Sequence, residues 1–145
     1  MKVSIATDHN GVIEKQELIT YMNELNIEVV DCSIENTPID DYPDFAFVVA
    51  NSVKNNETDL GILLCGTGIG MSIAANKIKG IRCAKVSSVE EARLSKEHNN
   101  ANVIALSYKA DMSLLKEMIK VFIETPFSNE ERHVRRVNKI TNMEV

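Results

Sequence analysis

A chain of 145 residues, at roughly 150 residues per domain, predicts one domain with a single core. With 44% hydrophobic and 26% charged residues, six glycines and three prolines, the composition excludes disordered, collagen-like and solenoid readings. Sixteen Lys and Arg against 21 Asp and Glu leave a net charge of −5, so neither nucleic acid nor an anionic membrane is an expected partner, and a bound anion has to meet a local basic cluster.

No apolar run approaches the roughly 20 residues that span a bilayer. The N-terminus turns polar after Thr7 and lacks a secretory core, and Cys32, Cys65 and Cys83 are odd in number and widely spaced. Free thiols in the cytoplasm are the expectation.

Short apolar runs alternate with stretches of helical spacing, the rhythm of successive βαβ units. Residues 2–6 predict a strand and 7–11 a turn. Val12, Ile13, Leu18, Ile19, Met22 and Leu25 predict one face of a helix, and 27–32 a second strand. The acidic loop 35–43 leads into a helix with an expected buried stripe of Phe45, Val48, Val49 and Val53, an N-cap at Asp41 and Pro43 in its first turn. The unbroken apolar run 60–65 predicts a strand covered on both faces. A glycine turn, Gly66-Thr67-Gly68-Ile69-Gly70, follows, then a helix through Ile73 and Ala74 to Gly80. Strands are expected at 81–86 and 103–106, and helices at about 88–97 and 111–124. An added helix, 130–140, holds three of the five arginines: Arg132, Arg135 and Arg136. The predicted architecture is α/β: one three-layer αβα, Rossmann-like (flavodoxin-like) domain over residues 1–145, with about five parallel strands and an extra C-terminal helix.

Ligands of open parallel sheets bind beyond the carboxyl ends of the strands. If strands one and three are neighbours, Asp8, His9, Cys65 and Thr67 surround one crevice. Cys65, between a strand and a helix N-terminus, suits a base or nucleophile; the competing reading is a small apolar residue closing a hydrophobic strand. The glycine-turn amides can converge on a phosphate or an oxyanion. Three named sites fail on spacing. There is no Gly-Lys-Ser/Thr of a P-loop, the turn is one residue short of a dinucleotide fingerprint, and a cysteine phosphatase wants arginine where Met71 stands. His9, His98 and His133 all sit among polar or basic residues. Arg132 and Arg136, spaced i, i+4, suit either a phosphate clamp or a solvated helix face.

Six pieces in order, 8-DHNG-11, 42-YPD-44, 65-CGTGIGMSIAANKIKGIR-82, 92-AR-93, 97-EHNNANV-103 and 132-RHVRRV-137, resemble the ribose-5-phosphate isomerase B family, which includes galactose-6-phosphate isomerase subunits. The resemblance runs from Met1 to about Ile140. It implies metal-free, cofactor-free interconversion of an aldose phosphate and a ketose phosphate through a cis-enediol(ate), with ribose 5-phosphate and ribulose 5-phosphate as the leading pair. The position of Cys65 implies the base that moves a proton between C1 and C2. Thr67 assists proton exchange on the oxygens, and the amides around Gly66, Gly68 and Gly70 stabilise the enediolate. His98 opens the sugar ring with help from Asp8, Asn99 lies beside the sugar, and His9, Arg132 and Arg136 hold the phosphate.

His98 and Asn99 precede a strand whereas Cys65 ends one, so they belong to opposite ends of the sheet. The resemblance answers this with a homodimer, or a tetramer built from it, in which each site draws on both chains. Lys109 stands where many members have an arginine near the phosphate, keeping the charge but losing the fork. Asn100 gives 98–102 a galactose-type rather than a ribose-type pattern. Galactose 6-phosphate, allose 6-phosphate or a tetrose phosphate therefore remain alternative substrates, and a non-catalytic phosphosugar-binding partner subunit is the alternative from another class.

Overall fold

The apolar run Leu60–Cys65 forms the middle strand of a five-stranded, all-parallel sheet in the computed structural model, which describes residues 1–144. In chain order the elements are β1 (Lys2–Thr7), α1 (Val12–Glu24), β2 (Glu28–Asp31), α2 (Tyr42–Lys54), β3 (Leu60–Cys65), α3 (Ile69–Ala75), β4 (Cys83–Lys85), α4 (Val89–Glu97), β5 (Val103–Ser107), α5 (Met112–Glu124) and α6 (Glu131–Asn142). The sheet order is β2-β1-β3-β5-β4. The expected β1–β3 adjacency is present, with Thr7 opposite Leu64. The last two strands are exchanged relative to the flavodoxin order, so β5 lies between β3 and β4 and pairs Ser107 with Cys65.

Alternate residues of each central strand enter different cores, as strand geometry requires. Ile62, Leu64, Ile104 and Leu106 pack with Leu18, Met22, Leu115 and Phe122 on the side of α1, α4 and α5. Leu63, Cys65, Val103 and Ala105 pack with Val49, Val53, Met71 and Ala75 on the side of α2 and α3. A sheet covered on both faces explains why β3 shows no polar alternation.

Several expected details change. Ile13 is 80% exposed, and its inward place on α1 is taken by Lys15, which is 1% exposed. Lys15 Nζ is satisfied by Asp31 Oδ1 at 3.0 Å, Ser33 O at 2.7 Å and Ser33 Oγ at 3.1 Å, which makes a buried ammonium tolerable. Val48 is exposed because the face that α2 turns inward carries Ala46, Val49, Ala50 and Val53. Asp41 occupies the N-cap of α2 without a capping bond. The first turn of α3 includes Gly70, and the helix stops at Ala75 rather than reaching Gly80. Beyond it Asn76 bonds both the N–H and the carbonyl of Cys83, tying the helix end to β4.

Candidate active site

Residues at the carboxyl ends of β1, β3 and β5 form the first half of the candidate site. Cys65 ends β3, is 5% exposed, and its Sγ accepts the Gly68 N–H at 3.1 Å. That contact needs Gly68 at φ +82°, a left-handed conformation that glycine adopts without the Cβ penalty. Thr67 Oγ1 accepts the Ile69 N–H at 3.1 Å. The turn is held from β5: Ser107 Oγ donates to Gly66 O at 2.8 Å, Tyr108 N donates to Cys65 O at 3.1 Å, and Lys109 N donates to Ser107 Oγ at 3.2 Å. Of the three glycine amides, that of Gly68 is engaged by sulfur, so an oxyanion has to look to its neighbours.

The loop after β1 supplies two polar side chains. Asp8 Oδ1 accepts the Asn10 N–H at 2.9 Å, a local bond that favours a turn over continued strand. His9 Nδ1 lies 2.7 Å from Asp40 Oδ1.

Tyr108 borders the same crevice. Its hydroxyl stands 3.7 Å from where a Gly66 Cβ would be, and burial, then the negative charge of Asp8 and Cys65, pushes its phenol up, keeping it a hydroxyl donor near neutral pH. Tyr42 covers Gly70 so closely that a Cβ there would fall 2.5 Å from Tyr42 Cζ. Sequence reasoning singled out neither Asp40 nor Tyr108. A polar aromatic directly after β5, at a carboxyl strand end, was the available signal for the second.

The remaining candidates lie at the other end of the sheet. His98 follows α4 as its C-cap, ahead of β5. Its ring centroid is 4.4 Å from that of His133, whose Nδ1 is 2.6 Å from Ser128 Oγ. Burial, then the neighbouring His98 and Arg132, holds His133 below the ordinary histidine range. Asn99 borders a cavity of about 240 Å³ with Ile81, Arg82, Cys83 and Ile140. On α6, Arg132 reaches Glu130 at 3.0 Å, and Arg135 pairs with Glu131. Arg136 is exposed and has no ion pair among the described residues. Within one chain, therefore, Asp8, His9, Cys65, Thr67, the glycine turn and Lys109 come together, whereas His98, Asn99, Arg132 and Arg136 belong to a separate, basic region.

The chain is thus a three-layer α/β protein whose middle strand ends in a buried cysteine over a glycine turn, with a polar histidine loop beside it, and comparison with known proteins gives its family. The ribose/galactose isomerase family matches residues 3–140. Bacillus subtilis YwlF, described at the level of a sugar phosphate isomerase, is 45% identical over 147 residues, spanning 99% of this chain and 97% of that protein. Ribose-5-phosphate isomerase B of Escherichia coli is 38% identical over 144 residues, spanning 99% of this chain and 96% of that protein. A crystal structure of ribose-5-phosphate isomerase B from Mycoplasma genitalium with bound ribulose-5-phosphate superposes with a TM-score of 0.93 at 41% identity, covering 99% of this chain and 95% of that one. The chain belongs to the ribose/galactose isomerase family and is an isomerase. Among the described residues, no helix is long and apolar enough to cross a membrane.

Proposed function

We propose that the protein interconverts ribose 5-phosphate and ribulose 5-phosphate through a cis-enediol(ate), without metal or cofactor, in the cytoplasm. The observation that carries this reading is Cys65 Sγ at a strand end, 3.1 Å from the Gly68 amide. The thiolate is the form of a cysteine able to take a proton from carbon, and the Gly68 N–H is placed to hold that sulfur. Cys65 removes the proton from C2 of the open aldose and returns it to C1. Thr67 relays protons between O1 and O2, and amides of the Gly66–Gly70 turn, together with the Tyr108 hydroxyl, face the oxygen on which negative charge develops. The phosphate is held by His9, Arg132 and Arg136, with Lys109 adding charge. That anchoring fixes the sugar against the base.

Ring opening requires His98, with Asp8 at the sugar hydroxyl and Asn99 alongside. β5 runs from Val103 to Ser107, at about 3.3 Å per residue, so its two ends stand about 13 Å apart, beyond hydrogen-bond reach of one sugar hydroxyl. We therefore read the working form as a homodimer, or a tetramer built from it, in which His98, Asn99, Arg132 and Arg136 of one subunit complete the Cys65 crevice of the other. Ile69 and Ile73, one turn apart on α3 and both more than half exposed, support a covered face beside that crevice.

The test is ketose formation by the purified chain, in EDTA and without cofactor, from ribose 5-phosphate, galactose 6-phosphate, allose 6-phosphate and erythrose 4-phosphate in turn. Preference for ribose 5-phosphate is expected. Preference for another sugar keeps the mechanism and changes the substrate, the reading to which the galactose-type pattern of 98–102 points. Binding without turnover on all four moves the protein to a non-catalytic partner subunit.

A further inference from the structure

His9 is gripped from one side. Its Nδ1 and its backbone N–H both approach Asp40 Oδ1, at 2.7 and 3.1 Å, while Asp40 Oδ2 accepts Asn36 Nδ2 at 3.0 Å and the Thr37 N–H at 3.1 Å. Four N–H groups thus converge on a carboxylate whose side chain is 10% exposed. Burial alone would raise its pKa, but the bonds from Asn36, His9 and Thr37 outweigh it and hold Asp40 below the usual carboxylate range. An ionised carboxylate only accepts, so the hydrogen between the two residues sits on His9 Nδ1. Nε2 is the ring nitrogen with no partner among the described residues, on a side chain that is 34% exposed.

The grip is anchored in the sheet. Asn36 Nδ2 also donates to Thr7 O at 3.1 Å, and Ser33 Oγ accepts both the Thr7 N–H at 3.0 Å and Lys15 Nζ at 3.1 Å. The end of β1, the loop 33–40 and the His9 ring therefore form one hydrogen-bonded unit, with the buried Lys15 ammonium at its base.

Resting on the phosphate role given to His9 above, we propose that Asp40 is a positioning residue: it fixes the His9 ring with Nδ1 inward and presents Nε2 to the phosphate end of the substrate. Asp40 itself touches no substrate and acts through His9. The competing account is that Asp40 only ties its own loop together through Asn36 and Thr37.

Asp40→Asn separates the two. The amide matches the carboxylate in shape, yet every neighbour of either oxygen is a donor, so its NH2 group confronts N–H groups in both orientations. The full-length protein is labelled with ¹⁵N in its histidine rings, and ring-nitrogen spectra are recorded without ligand. Titration with inorganic phosphate and steady-state kinetics on ribose 5-phosphate follow. The wild type shows a proton on His9 Nδ1, and Asp40→Asn loses that arrangement. In the variant KM rises about tenfold, the scale of one charge-assisted hydrogen bond, with kcat within about twofold. Adding His9→Ala to Asp40→Asn costs little more, because the ring is already misplaced.

An unprotonated Nδ1 in the wild type overturns the proposal, and so does an equal cost of His9→Ala in both backgrounds. If the wild type converts no sugar phosphate, the functional reading fails, while the spectra and the inorganic phosphate titration still decide the role of Asp40. If Asp40→Asn does not fold, the wild-type spectrum and phosphate binding by His9→Ala decide it.

Discussion

Cys65 and His98 stand at opposite ends of one sheet: Cys65 closes β3 beside Ser107, the last residue of β5, whereas His98 caps α4 ahead of the first residue of β5. In the proposed mechanism one chain therefore carries the base and the ring-opening histidine in two separate half-sites, and the expected effects of mutation divide along that line.

In the Cys65 half, Cys65→Ala removes the group that the proposed mechanism sets against the reacting carbon. A fall in kcat of about 10²–10⁴-fold is expected, with phosphosugar affinity nearly unchanged, because a general base works mainly in the transition state. Steady-state kinetics and calorimetric titration with ribose 5-phosphate read the two quantities separately. Lost affinity with preserved kcat would remove Cys65 from the role of base.

Gly68→Ala tests the turn that addresses the thiol. A Cβ at φ +82° would lie 3.1 Å from Ala105 O, so the turn has to shift. Destabilisation of about 1–2 kcal/mol is expected from the left-handed conformation alone. Displacing the amide from Cys65 Sγ should also lower kcat. Urea unfolding and kinetics check both, and an unchanged kcat in a measurably destabilised protein would detach the amide from catalysis.

In the basic half, Arg136 has no ion pair among the described residues, so Arg136→Ala should leave stability unchanged and raise KM by the equivalent of about 2 kcal/mol, one charge-assisted contact to phosphate. Arg135, already paired with Glu131, serves as the control: Arg135→Ala should leave KM alone. Equal effects from the two arginines would reduce both to general surface charge.

Asp40 adds a pH dependence to stability. Its folded pKa lies below the ordinary value of 3.8, so its contribution is complete above that value and is lost as pH falls through the lower folded one. Wild type should exceed Asp40→Asn in urea midpoint at pH 7, and the gap should narrow at pH 3. A gap that stays constant would mean that the carboxylate charge is not what stabilises the loop.

Much of this arrangement was legible in the sequence because it is local. The unbroken run 60–65, Asp8 directly after β1, Cys65 at the end of β3 and the glycine turn all follow from periodicity and strand-end logic. The exchange of β4 and β5 was not legible, since no local pattern records which strand a crossover skips. Ile13 was misplaced because the inward position belongs to Lys15, a residue type that composition rules send to solvent and that only the distant Asp31 and Ser33 make tolerable. Asp40 was passed over for a similar reason. It stands in a loop without periodicity, and its partner His9 is 31 residues away.

The most direct test of the two-chain site is to mix inactive Cys65→Ala with inactive His98→Ala protein under conditions in which mass spectrometry proves subunit exchange. Random reassortment in a two-fold symmetric dimer gives half the dimers one intact site, so activity should return to about a quarter of the wild-type level. Activity that stays at the average of the two parents despite proven exchange would contradict the shared site and require Cys65 and His98 to serve the reaction from within a single chain.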